Sequence, residues 1–555
     1  MPSSYPVPDA AVPVSAGMIV AVPAELLASP LKIGRDLGEA GRSALVIGGT
    51  EKIRTGGATV FVKVVAVTEA VVTRDGQVRA EGRPYDHATL GPMEEWLDAQ
   101  AGPGVIDAIA GRTVLDGRYV KGRYRRLLSA AFMIRVIVLW TLMPDAQLSD
   151  VITALAGDLA LVPWSRRWHP ASERACLDWR KALGPAPLEE LQAAVLAAAA
   201  DEHAGRPGQS LTTGKGRPLA VHSGDGSLLR VPDTPGNRAE FGSVGTADDS
   251  AAWPCVRLFP LSSVFTRSLL AMPWGPAGTD KTASEQRLLD AAMRDFPHVF
   301  SKDQVWLLDR LWHGTPRLRA LAGLTHFAAR LKSDIPLKRV SEIYPDHSYL
   351  AEISGDGVTM TVRVIEYFAE IEGQEVKEMF CLITDLLDWA EHPGPELAAL
   401  YRWRWDGSET GLREAKAPLH GAGPGTGAML RSGSPLLIAQ EIAAWAISTE
   451  MTRGVTRDAA LTAAPARKGR RAGQPVRYRD LSLTRSRRLI LAAIRSGQAS
   501  CKTLAGKIAG YRTVTDRNRH RARKSKSPST FGHAGPNDTV TRIAPAVIIM
   551  ANNPA

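Results

Sequence analysis

The chain has 555 residues, 45% of them hydrophobic and 23% charged, with a net charge of +11 at pH 7. That balance excludes a disordered polypeptide and leaves room for roughly two to four domains. Cys176, Cys255, Cys381 and Cys501 lie far apart and form no CxxC pair, which argues against a disulfide framework or a structural zinc.

No run reaches the ~18 uninterrupted apolar residues of a membrane span; the longest candidate, Leu127 to Met143, is interrupted by Arg135 and reads as a buried helix. No basic residue precedes the first apolar stretch, so the N-terminus does not resemble a signal peptide, and a cytoplasmic protein is expected. The positive charge is localised. From Arg467 to Lys526 there are 19 basic residues against two acidic ones, Asp480 and Asp516, a balance of +17. The remainder holds 49 basic and 55 acidic residues, or −6. Charge concentrated in this way suits a polyanionic partner, nucleic acid first among them, although a solvated basic tail has the same composition.

Residues 1–85 are rich in Pro, Gly, Ala and Val; Thr59–Thr73 reads as strand, and the extension offers no chemistry. Residues 86–200 turn helical, with apolar positions three and four apart between Met93 and Ala199 and Pro144 closing one helix. Two basic and aromatic groups fall here. The first is Arg118, Tyr119, Lys121, Arg123, Tyr124, Arg125 and Arg126; the second is Trp164, Arg166, Arg167, Trp168 and His169. Both suit phosphate contacts and base stacking, and both also suit a charged helix face over buried aromatics.

From 201 to 455 strands and helices alternate, which predicts an α/β domain. Strands are expected at Leu219–His222, Leu228–Val231, Val256–Leu261, Val264–Met272 and Val305–Leu308, and helices at Ser284–Asp295 and Pro316–Leu321. A β-rich insertion, about 338–394, follows with Ser348–Ile353, Val358–Ile371 and Val376–Thr384. Helix resumes from Pro395 to about Thr452, broken by the glycine-rich stretch 421–427, and residues 456–555 read as a basic tail.

Three acidic positions draw attention. Glu409 and Lys416 lie seven residues apart, so on a helix they share one face, with Arg413 between them. The alternative is a capping box, with Asp406 as N-cap and Glu409 reaching back to it. Glu414 is the competing carboxylate, but no Lys stands at the matching distance. Asp225 follows a strand in Ser223-Gly-Asp-Gly-Ser227, just ahead of Pro232-Asp-Thr-Pro235, where Asp233 reads as a turn residue with Pro235 and Asn237. Asp309 ends the apolar run Val305-Trp-Leu-Leu308, a position that also suits an ordinary turn.

The segment Leu400–Lys416, with Tyr401, Arg404, Glu409 and Lys416, resembles the late signature of the DDE transposases typified by bacterial insertion element four. The Glu-to-Lys and Tyr-to-Arg spacings match that signature, whereas four residues separate Arg404 from Glu409 where the family has three, the extra one falling in Asp406-Gly407-Ser408. Asp225 and Asp309 resemble the family's first and second acids, and Leu311-Trp312-His313 departs from the pair that usually follows the second.

The resemblance implies a ribonuclease H-like catalytic domain with a β-insertion, preceded by a helical DNA-binding domain. It implies two Mg²⁺ ions, with Mn²⁺ as substitute, held by Asp225, Asp309 and Glu409. Tyr401, Arg404, Lys416, Arg330 and Lys332 are the DNA contacts it suggests, with Phe380 as the stacking partner of a flipped base. The implied activity is cut-and-paste transposition by nicking, a hairpin and strand transfer, performed by a homodimer on terminal inverted repeats and target DNA in a bacterial nucleoid. A nuclease without strand transfer and an inactive DNA-binding relic are the rival expectations.

Overall fold

The computed structural model describes residues 42–55, 58–72, 78–81, 89–119, 128–156, 171–203, 210–211, 218–243, 253–277, 284–309, 314–332, 335–371, 374–401, 403–404, 406–419, 428–465, 473, 476–496 and 501–512. The basic residues at 121–126, the group at 164–169, the triplet 311–313, the glycine-rich stretch 421–427 and the chain beyond Arg512 lie outside them.

Strands β1 (Arg42–Thr55), β2 (Ala58–Val72) and β3 (Val78–Glu81) form an antiparallel sheet of their own, in that order. The strand expected at Thr59–Thr73 is β2.

The described residues between 92 and 203 form the helices Pro92–Ala101, Val105–Arg112, Ala130–Trp140, Leu148–Ala156, Glu173–Leu183 and Ala186–His203. The helix Ala130–Trp140 is apolar around its circumference and therefore central. Its one charge, Arg135, is buried and held by Glu94 and by Asp107, the latter at 2.9 Å. An unpaired guanidinium there would carry a desolvation cost of several kcal/mol.

These helices do not close on themselves. Ala444, Ile447, Met451 and Val455 of the long helix Pro435–Thr462 share their core with Trp96, Phe132 and Ile137, as do Ile490, Leu504 and Ile508. The last three belong to the helices Leu483–Ser496 and Cys501–Ala509. The expected tail from 456 is thus corrected as far as Arg512. Leu489, Ile490, Ala493 and Ile494 recur at helical spacing inside the basic segment, so one face packs while Arg485 and Arg488 stay exposed.

The remaining strands are β4 (Ser210–Leu211), β5 (Leu219–Gly224), β6 (Ser227–Arg230), β7 (Cys255–Leu258), β8 (Leu261–Ser263), β9 (Leu269–Ala271), β10 (Trp274–Pro276), β11 (Gln304–Leu308), β12 (His326–Arg330), β13 (Lys338–Arg339), β14 (Tyr349–Gly355), β15 (Val358–Ile371) and β16 (Gln374–Thr384). Ten of them build one mixed sheet, ordered β13-β14-β15-β16-β12-β11-β5-β8-β9 with β4 on β5. A small sheet, β10-β7-β6, stands beside it. β5, β11 and β12 run parallel, while β8 and β16 flank them antiparallel. The expected insertion is therefore a continuation of the main sheet: β16 pairs with β12, and β15, β14 and β13 add outward from it. Parallel strands buried on both faces need apolar runs, and Val305-Trp-Leu-Leu308 supplies one. Among the described residues no helix is long and apolar enough to cross a membrane.

At Gly454 the long helix comes close against the N-terminal bundle, since a Cβ there would collide with the Trp96 indole. Gly323, also helical, has open space around its Cα. Gly454→Ala should lower the unfolding midpoint, by about 1–3 kcal/mol of overpacking. Gly323→Ala should hold or raise stability, by up to about 1 kcal/mol. Thermal and denaturant unfolding of the two variants checks both, and a silent Gly454→Ala would contradict the packing of Trp96.

Candidate active site

The parallel register sets the site. Ser223 of β5 pairs with Leu307 of β11, and Leu308 pairs with Ala329 of β12. Continuing each strand to its end places Asp225, Asp309 and Arg330 at one level across three neighbouring strands, which lie about 4.8 Å apart. This is the carboxyl edge of the parallel strands, where α/β sheets gather ligands because the chain leaves the sheet there.

A helical segment delivers the third acid. Residues Asp406–Thr410 form a π-helical turn that runs into the α-helix Gly411–Lys416. A π-turn takes one more residue than an α-turn. It thus absorbs the extra residue between Arg404 and Glu409 and returns both side chains to the same side, five residues apart. The backbone is already helical before Asp406, with Gly407 N donating to Trp403 O at 3.3 Å and Ser408 Oγ to Arg404 O at 2.9 Å. Asp406 is therefore not the N-terminus that a capping box requires. Gly407 lets this turn press against β5: a Cβ there would lie 2.7 Å from Ser223 Oγ and 2.7 Å from Val264 Cα.

The electrostatics mark a convergence of like charges. Burial pushes the Asp225 carboxyl up to about 7; Arg404 pulls it down, and Glu409, Glu285 and Asp309 push it further up. Burial also works against the Arg404 charge, but Tyr401, Asp309, Asp225 and Glu409 outweigh it and hold the guanidinium above its usual range. Burial lowers the Lys416 ammonium, partly offset by Asp225. Lys416 Nζ donates to Ser227 Oγ and stands 3.5 Å from Leu228 O. Glu409 and Lys416 thus both act on Asp225, while Arg413, expected between them, is exposed. Glu414 faces elsewhere, ion-paired with the buried Arg267 at 2.7 Å. Among the described residues no three His, Cys, Asp or Glu side chains stand at metal-ligand spacing. The acids share a field, and Arg404 acts on all three.

Several expected DNA contacts lie inside. Tyr401 is 5% and Arg404 4% exposed, and the Tyr401 hydroxyl donates to Leu308 O at 2.8 Å, next to Asp309. Neither presents a surface to DNA as placed. Their sequence spacing reads equally well for a helix turned inward, and here hydrophobic Leu397, Ala398 and Leu400 turn it that way. The Phe380 ring stacks on Tyr367 at 5.2 Å, and the Arg330 guanidinium lies 4.4 Å from its centroid. A flipped base would have to displace one of these neighbours. Lys332, just past β12, is half-buried. Asp233 forms an exposed ion pair with Arg238, beside a helix N-terminus in which Thr234 accepts from Asn237 N and Pro235 takes the first turn. His222 is buried against Trp306, and burial lowers it to about 3, a neutral core residue.

Glu285 is the first residue of helix Glu285–Asp295, and nothing in the sequence singles it out. In sequence it looks like any first-turn acid, and only the fold brings it beside Gly226, where a Cβ would collide with its carboxyl.

No protein-family profile and no curated protein matches the chain. Among solved structures, the chain is similar to a piggyBac transposase in a synaptic complex with hairpin DNA, at 12% identity over 76% of this chain and 82% of that one, with a TM-score of 0.35. A likeness of that size establishes neither family nor function.

The raised Asp225 has a consequence for stability. A carboxyl held near 7 when folded, against an ordinary 3.8, binds its proton more tightly in the native state. Its contribution to metal-free stability is therefore full below about pH 4 and lost as pH rises through about 7. The chelator-treated protein should gain stability between about pH 7.5 and pH 5 relative to Asp225→Asn, measured as the difference between their unfolding midpoints. Parallel pH profiles for the two proteins would refute the assigned environment, which includes Arg404, Lys416, Glu409, Glu285 and Asp309.

Proposed function

We propose that this chain is a transposase that binds the terminal inverted repeats of its own insertion element, cuts them and joins them to target DNA. The core would be ribonuclease H-like, and Asp225, Asp309 and Glu409 would hold two Mg²⁺ ions, with Mn²⁺ as substitute. The observation that supports the reading is the shared field of these acids: Asp225 and Asp309 end adjacent parallel strands, Glu409 and Asp309 both act on the buried Asp225, and Lys416 answers Asp225.

The residues fit such ions. Mg²⁺ selects carboxylate oxygens and keeps several waters, and the set here is three carboxylates and no thiol. Burial of like charges, which drives Asp225 up to about 7, is relieved by divalent cations. When bound, two such ions activate the attacking water or 3′-hydroxyl and neutralise the leaving oxygen.

The chain's own groups supply the rest. Asp225, on which both other acids act, would be the shared ligand. Lys416 offers a point charge at the rim, beside Ser227, for a phosphate of the scissile strand. Tyr401 fixes the end of β11 by its bond to Leu308 O and so positions Asp309. Arg404 balances the acids from within, so its role here is to orient carboxylates, with phosphate contact secondary. The basic C-terminal segment and the N-terminal helices would bind the DNA ends by phosphate contacts. Two copies acting across paired ends complete the assembly.

Incubation of the full chain with its flanking inverted repeats and Mg²⁺ should yield nicked and hairpin ends, and pre-cleaved ends should join a target. Asp225→Asn and Glu409→Gln should each lower single-turnover cleavage at least about a hundredfold, with end affinity in gel shifts preserved because phosphate contacts dominate binding. Glu414→Gln should cost stability, through Arg267, more than it costs chemistry. Wild-type cleavage by Asp225→Asn would sink the reading, and cleavage without joining would reduce it to a nuclease.

A further inference from the structure

Glu285 has a geometry that its helix does not require. Ser284 caps that helix by accepting from Arg287 N at 3.3 Å, so Glu285 is free of capping duty. An acid in the first turn favours the helix dipole wherever its carboxyl points, and most point to solvent. This one folds back over Gly226, the neighbour of Asp225, into space that only a glycine leaves open. Arg257 of β7 holds it there, Nη1 to Oε1 3.3 Å, with the Arg257 and Glu285 side chains 23% and 19% exposed. Asp309 and Glu285 repel one another, and Glu285 adds to the negative field on Asp225. It therefore sits beside Asp225 and acts on both strand-end acids, while its own counter-charge comes from a different strand.

We propose that Glu285 is a fourth acid of this site, placed outside the three ion ligands to accept hydrogen bonds from water carried by an ion beside Asp225 and Asp309. The proposal rests on the transposase reading. Its chemical logic is that Mg²⁺ retains several waters whose hydrogens need acceptors, and that acceptors one shell out orient them. Arg257 tethers the carboxyl and offsets part of the burial that raises it. Glu285 is in this sense a positioning residue for the attacking water.

The test uses the full chain, Mn²⁺ as probe, and three variants: Asp225→Asn, Glu285→Gln and Glu285→Asp. Mn²⁺ binding is followed by titration calorimetry and by electron paramagnetic resonance, and cleavage by single turnover. Glu285→Gln should weaken Mn²⁺ about 10- to 100-fold, keep the number of ions bound, and lower the cleavage rate at unchanged DNA affinity. Glu285→Asp, which keeps the charge but shortens its reach, should restore part of each. Unfolding of the metal-free variants guards against a folding defect, and Glu285→Asp serves as the informative variant if Glu285→Gln is unstable. Wild-type Mn²⁺ affinity in both Glu285 variants, alongside a defective Asp225→Asn, would overturn this proposal alone. Loss of an ion in Glu285→Gln would overturn it too, making Glu285 a direct ligand. A wild-type protein that binds no Mn²⁺ and cuts no DNA would overturn the transposase reading and this inference together.

Discussion

Negative charge gathered at the carboxyl edge of two parallel strands is the constraint that the rest of this structure serves. The buried Asp225 is repelled by Asp309 and Glu409, and such crowding is costly unless cations answer it. Arg404 answers it from within, and Lys416 from the rim. Three features hold the acids there against their repulsion. The pairing of Ser223 with Leu307 sets the strand ends level. The glycine at 407 lets the π-turn lie against β5. The Tyr401 hydroxyl fixes the carbonyl next to Asp309.

The helix carrying the third acid is short and is anchored from behind. Arg453 Nη2 donates to Gly411 O at 2.7 Å, Trp445 Nε1 to Ala415 O at 2.8 Å, and Arg267 pairs with Glu414. Arg267 adopts a left-handed φ of 56°, a conformation that costs a non-glycine residue about 1 kcal/mol or more and is held by this pairing. Arg453 and Trp445 belong to Pro435–Thr462, the helix that also enters the N-terminal core. Its Glu450 accepts from Leu269 N at 2.8 Å and pairs with Arg457 at 2.8 Å, and Arg457 lies over the Trp96 ring. Buried charges on one long helix thus join the bundle, the sheet and the site helix. Polar groups so placed specify one docking geometry, since any other leaves them unpaired.

Much of this was legible in the residues. Strand periodicity gave β15 its bounds, although its middle buries both faces, Val362 and Val364 in one core and Ile365 and Tyr367 in another. Asp309 stood out as an acid closing an apolar run and Asp225 through the resemblance of its surroundings, and the spacing of Glu409 to Lys416 placed both on one helix face. What escaped was long-range or unmarked. An inserted residue carries no sign of whether it makes a loop or a π-turn, so the register of Glu409 could not be read. Tyr401 and Arg404 sit on a helix whose inward face depends on β11 and β12. Glu285 reaches Gly226 only through the fold, and the basic segment hid two packing helices because its charge was more conspicuous than its apolar spacing.

The most direct measurement is an anomalous-scattering map from crystals of the full chain grown with Mn²⁺ and a DNA end. Two peaks are expected, both contacted by Asp225, one shared with Asp309 and the other with Glu409. Peaks on Glu414, or none among these acids while DNA is bound, would contradict that assignment.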